Sequence, residues 1–91
     1  MGDTTADFAA FGGGPEVTAQ ELVILSLLVE LGESHGLTLI KASRGKLRRG
    51  TVYITLFDLD EKRLVSSRED TLGRRLYAIT ASGRRVYETT R

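Results

Sequence analysis

The stretch 44–65, RGKLRRGTVYITLFDLDEKRLV, constrains the fold more than any other part of this chain. It opens on a basic cluster, continues as one amphipathic helix over roughly residues 49–62, and passes into a short strand. Val52, Leu56 and Leu59 stand at i, i+4 and i+7, which gathers them on one side of that helix. Thr51, Thr55 and Asp58 fall on the opposite stripe. A helix with a single apolar stripe lies on a core and turns its other face outward.

The segments around it supply the rest of a small domain. Residues 1–17, with Gly12, Gly13 and Gly14 in a row and two isolated aromatics, Phe8 and Phe11, read as a flexible N-terminal arm. Thr18 to Glu21 matches a capping box and opens a first helix over about residues 19–31, stopped by Gly32. Apolar residues cover nearly its whole circumference, so one small core leaves a side that needs a cover. The candidates are a second subunit or the Phe8/Phe11 arm folded back. A short second helix starts at Ser34 or His35 and is broken by Gly45. After the third helix come a strand over 64–69, a turn from Asp70 to Gly73, and a returning strand over 76–79 with Tyr77 and Ile79 on one face. Thr80 can cap a last short helix that ends near Thr89. The order helix, helix, helix, hairpin, helix predicts a mainly α (α+β) winged helix-turn-helix: a three-helix core, a two-stranded β wing and a short C-terminal helix, occupying residues 18–91.

Charge distribution narrows the function. Residues 1–35 hold six acids and no Lys or Arg, a net of −6; residues 36–91 hold thirteen bases against six acids, a net of +7. That split suggests one surface that meets a polyanion and another that does not. The chain has no Cys, which removes disulfides and thiolate metal sites and fits a reducing cytoplasm, the expected location. Its longest apolar run is far shorter than the roughly 20 residues a membrane span requires. His35 is the only histidine and is expected to make a helix-start hydrogen bond or to lie exposed. Asp58, Asp60 and Glu61 spread over different helix faces, with no nucleophile or phosphate loop beside them, so no active site, cofactor or metal is expected.

The residue types favour double-stranded DNA. Arg48 and Arg49 start the third helix, and Gly50 lets the backbone approach a ligand because it has no Cβ. Unpaired N–H groups and the helix dipole attract phosphate there. Thr51, Tyr53 and Thr55 offer hydroxyls, and the major groove of B-DNA admits one such helix. Arg74 and Arg75 follow the hairpin turn, where they can reach a flanking phosphate or a narrow minor groove. Thr51, Ile54 and Thr55 are the candidates for base edges; Lys46, Arg48, Arg49, Arg74 and Arg75 are the candidates for affinity. The alternative is a winged helix used for protein contact with no operator of its own, which Phe57, Asp58 and the acidic first third favour.

Four motifs in this order resemble the PadR-like family of winged helix-turn-helix transcriptional regulators: 35–42 (HGLTLIKA), 49–53 (RGTVY), 56–65 (LFDLDEKRLV) and 73–84 (GRRLYAITASGR). The resemblance covers about residues 20–90 and implies a homodimeric repressor with the third helix in the major groove and the wing on the backbone. Arg49, Thr51, Tyr53, Arg74 and Arg75 would inherit contacts to DNA, and no particular small-molecule effector is implied. The chain departs from the pattern at Phe57 and Asp58, where the family carries polar or basic residues, and at Arg63, where it tends to have Gly. Many members continue into a long C-terminal dimerisation helix, whereas this sequence stops at Arg91, so the first helix and the arm are the expected dimer contact.

Overall fold

The structure is a computed structural model that describes residues 17–90. Phe8 and Phe11 of the expected arm lie outside the described residues. The elements are α1 (Ala19–Leu31), β1 (Ser34–His35), α2 (Gly36–Ala42), α3 (Arg49–Glu61), β2 (Val65–Glu69), β3 (Arg75–Ile79) and α4 (Ala81–Thr90). The three strands form one antiparallel sheet in the order β1-β3-β2. This is the winged-helix arrangement, with the hairpin β2–β3 as the wing.

Several helix boundaries have a local cause. At the start of α1 the Thr18 hydroxyl accepts from the Glu21 N–H at 3.1 Å, and the Glu21 carboxylate accepts from the Thr18 N–H at 2.9 Å. Between α2 and α3 the Ser43 hydroxyl donates to the Ile40 carbonyl and accepts from the Leu47 N–H, at 2.7 and 3.1 Å. The C-terminus of α3 closes as a Schellman motif: the Leu64 N–H donates to the Leu59 carbonyl and the Arg63 N–H to the Asp60 carbonyl, both at 2.9 Å. That motif forces Arg63 into the left-handed region at φ 62°, where glycine would sit without strain.

One expectation needs correction. Ser34 and His35 do not begin the second helix; they form β1, paired Ser34 to Tyr77 and His35 to Leu76, and α2 starts at Gly36. A two-residue strand carries no periodic signal, and its pairing to a strand some forty residues later is a tertiary effect.

The core is built where the apolar stripes meet. Ile24, Leu25 and Leu28 of α1, Leu39 of α2, Val52, Leu56 and Leu59 of α3, and Leu64 and Val65 are all at most 2% exposed. Leu47 and Tyr77 complete the cluster. Glu21, buried at 3% exposure, lies in this interface and accepts from the Lys62 ammonium through both carboxylate oxygens at 3.0 Å. A buried carboxylate needs such a partner, and this one ties the start of α1 to the end of α3. The rest of α1 is less covered: Leu22, Val23 and Leu27 are half-buried and Leu31 is exposed.

α4 docks through Gly83, the one buried residue of that helix. Thr80 caps it, its hydroxyl accepting from the Gly83 N–H at 3.0 Å and donating to the Arg63 carbonyl at 2.8 Å. A Cβ at Gly83 would fall on the Leu64 carbonyl oxygen and crowd Ile79. Gly83→Ala is therefore expected to lower stability by about 1–3 kcal/mol, measured by urea unfolding, because backbone rather than a flexible side chain must give way.

Candidate nucleic-acid interface

Burying Val52, Leu56 and Leu59 fixes how α3 is turned, and with about 100° per residue it fixes what projects. The outermost row is Gly50, Ile54, Phe57 and Glu61, with Ile54 and Phe57 63% and 62% exposed; the Thr51, Thr55 and Asp58 stripe expected opposite the core lies to one side of it. Thr51 is exposed at one edge of that row. Thr55 is half-buried, and its hydroxyl donates back to the Thr51 carbonyl at 3.0 Å. Of the two threonines expected at base edges, Thr51 is thus the more accessible. The sequence reading did not include Phe57 among the site residues, although Phe57 stands three residues beyond Ile54 on the same helical row.

At the head of α3, Arg48, Arg49 and Gly50 are all exposed. The Arg48 backbone is extended, and its side chain makes no capping bond. The helix has no acid in its first turn, so its positive end is left uncompensated by its own sequence. Lys46 lies elsewhere. Its carbonyl accepts from the Gln20 side-chain amide at 2.9 Å, and it borders a groove shared with α1 and Tyr87.

The wing and α3 meet at Tyr53. A concavity of about 340 Å³ is lined by His35, Thr38 and Lys41 on one side, by Tyr53, and by Arg74 and Arg75 on the other. A second one, between α3 and the wing, is lined by Tyr53, Phe57, Asp60, Ser67, Arg75 and Tyr77. The structure therefore brings Tyr53, Arg74 and Arg75 together, and adds Lys41, which is not among the residues expected at the site. Gly36 makes this possible: a Cβ there would come within 2.6 Å of the Tyr53 ring.

The wing tip is organised by one carboxylate. Asp70 accepts from the Leu72 and Arg74 N–H groups at 2.8 and 2.9 Å, from the Arg74 guanidinium at 3.2 Å, and pairs with His35 Nε2 at 2.8 Å. His35 is thus neither a helix-start hydrogen bond nor plain surface; it is joined to the wing, a contact between residues 35 apart that no local pattern signals. Arg75 is held more loosely, donating to the Ser67 hydroxyl at 3.3 Å with the Glu69 carboxylate 4.0 Å away. Arg68 pairs with Glu33 through two bonds of 2.7 Å, on an exposed surface where such pairs add little stability.

The His35 ring, then the Arg74 and Leu72 N–H groups and the Arg74 charge, hold the Asp70 carboxyl well below its ordinary value of 3.8. A depressed carboxyl contributes stability above its unfolded value and loses it as pH falls through the folded one. The carboxyl titration, followed by NMR through the Leu72 and Arg74 amide resonances, is expected only below about pH 4. A carboxyl midpoint at or above the ordinary value would contradict the wing-tip geometry.

Residues 24–89 match the transcriptional regulator PadR-like family. Similar solved structures include the PcaV transcriptional regulator from Streptomyces coelicolor in complex with its natural ligand (28% identity, TM-score 0.72, covering 80% of this chain and 52% of that one). A PadR family transcription regulator from Clostridium difficile has 25% identity and a TM-score of 0.69, over 79% of this chain and 82% of its own. RosR of H. salinarum has 28% identity and a TM-score of 0.69, over 81% and 70%. The chain spans about half the length of the PcaV structure. No curated protein matches it.

Proposed function

Because the chain belongs to the PadR-like family of transcriptional regulators, we propose that it binds double-stranded DNA in a sequence-specific way, as a repressor acting in the cytoplasm. In this reading α3 enters the major groove and the wing lies on the backbone. The observation that carries it is the grouping of Tyr53, Lys41, Arg74 and Arg75 around one concavity beside the exposed, basic head of α3. Arg48, Arg49, Arg74 and Arg75 contact phosphates, Gly50 lets the helix backbone approach, and Thr51 and Ile54 face base edges, with the half-buried Thr55 at the margin. Lys46 contributes long-range attraction from the α1 side. If so, Arg75→Ala or Arg74→Ala lowers the slope of log affinity against log salt by about 1 without changing sequence preference. An unchanged slope removes the wing from the interface.

Residues 18–91 serve as the DNA-binding domain, with 1–17 as an arm, and the molecule works as a homodimer through α1 and that arm. Support comes from α1, whose Leu22, Val23 and Leu27 border an open groove of about 520 Å³ with Tyr87. Two recognition helices about 34 Å apart would then meet successive turns of a palindrome. Solution mass tests this: Leu27→Asp is expected to turn a dimer into a monomer, and a monomeric unaltered protein would contradict the assignment.

A second reading has a specific observation behind it. Ile54 and Phe57 are exposed beside Asp58, Asp60 and Glu61, a surface that also suits a protein partner. A gel shift on random duplex at low salt and at about 200 mM separates the two, since phosphate contacts make DNA binding strongly salt-dependent.

A further inference from the structure

We infer that the outer face of α3 reads thymine through its C5-methyl group, an inference that rests on the DNA-binding function proposed above. It follows from which side chains the helix can place in a groove. Bidentate recognition of a purine in the major groove calls on Arg or Lys for guanine and on Asn or Gln for adenine. From Gly50 to Glu61, α3 contains none of these four residue types. The chain has no Asn at all, and its single Gln, Gln20, is engaged with the Lys46 carbonyl at 2.9 Å. Guanine reading is therefore left to Arg48 and Arg49 at the head of the helix, to Lys41 or to the wing, and not to the outer face of α3.

Between its basic head and Glu61, which closes the same row at the acidic end, the large side chains on the outermost row of α3 are apolar. Ile54 and Phe57 project furthest, at 63% and 62% exposure, from the row that the buried Val52, Leu56 and Leu59 stripe forces outward. The Thr55 hydroxyl is turned back onto its own helix. Asp58, beside this row, accepts hydrogen bonds but cannot donate to a purine N7. The thymine C5-methyl is the one apolar group that a base pair offers in the major groove, and it discriminates A·T from G·C by contact alone. A pair of large apolar side chains at i and i+3 matches two such methyls on neighbouring base pairs. The basic residues at the head of α3 and on the wing supply the charge complementarity that brings this face to DNA rather than to an apolar partner.

The experiment uses the full chain. Duplexes are selected from a random pool, and the enriched sequence is resynthesised with deoxyuridine in place of thymidine, which removes only the methyl groups. Affinity is expected to fall by about four-fold for each contacted thymine, the equivalent of one buried CH₂-sized group. In Ile54→Ala and Phe57→Ala the thymine and uracil duplexes should bind more nearly alike, because the contact that distinguishes them is gone. Both side chains are exposed, so neither variant is expected to unfold, and a thermal melt checks that. Equal binding of the two duplexes by the unaltered protein overturns thymine reading and leaves DNA binding standing. If no duplex is enriched, DNA binding itself fails and the face belongs to a protein partner.

Discussion

The interaction on which everything else depends is the burial of three side chains, Val52, Leu56 and Leu59, beneath α1. They set the rotation of α3 about its own axis, and a quarter turn would exchange Ile54 for Thr55 at the crest. The C-terminal end of the helix then reinforces that setting. The Glu21–Lys62 pair fastens its last turn to the start of α1, and the Schellman closure at Leu64 stops it within one residue of the wing. Glu21 is the more deeply buried of the two, so removing the Lys62 ammonium is the costlier way to break the pair.

Legibility in the sequence followed the range of the forces. α1 and α3 were readable because capping and apolar spacing are local: Thr18 and Glu21 are three residues apart, and the inward stripe of α3 repeats from one turn to the next. The wing hairpin and the Thr80 cap were readable for the same reason. β1 was not, because Ser34 and His35 become a strand only when β3 arrives beside them. The His35–Asp70 contact, and Tyr53 resting against Gly36, equally join residues far apart in the chain. Arg63 shows a third case. Its disfavour for a left-handed backbone was visible in advance, yet the residue adopts that conformation because the hydrogen bonds ending α3 and the Thr80 bond to its carbonyl over-determine it.

The charge on this molecule is graded rather than uniform. Arg48 and Arg49 stand at one end of α3 and Asp58, Asp60 and Glu61 at the other, so the acidic residues oppose the intrinsic negative end of the helix dipole instead of relieving it. That arrangement favours an approach to a polyanion by the head of the helix, with the acidic end held away. On the wing, Asp70 fixes the turn and lies within reach of Arg74, so the two arginines there differ: one already has a carboxylate, and the other has weaker company.

Gly36 shows how an absent atom shapes this surface. With only hydrogen there, the phenol of Tyr53 leans against the first turn of α2 and lines the same concavity as Lys41 and Arg75. A methyl group in that place would leave the backbone of α2 undisturbed and still relocate the hydroxyl, because the ring is the part free to move. The reach of a polar contact on one helix is thereby written into the smallest residue of its neighbour.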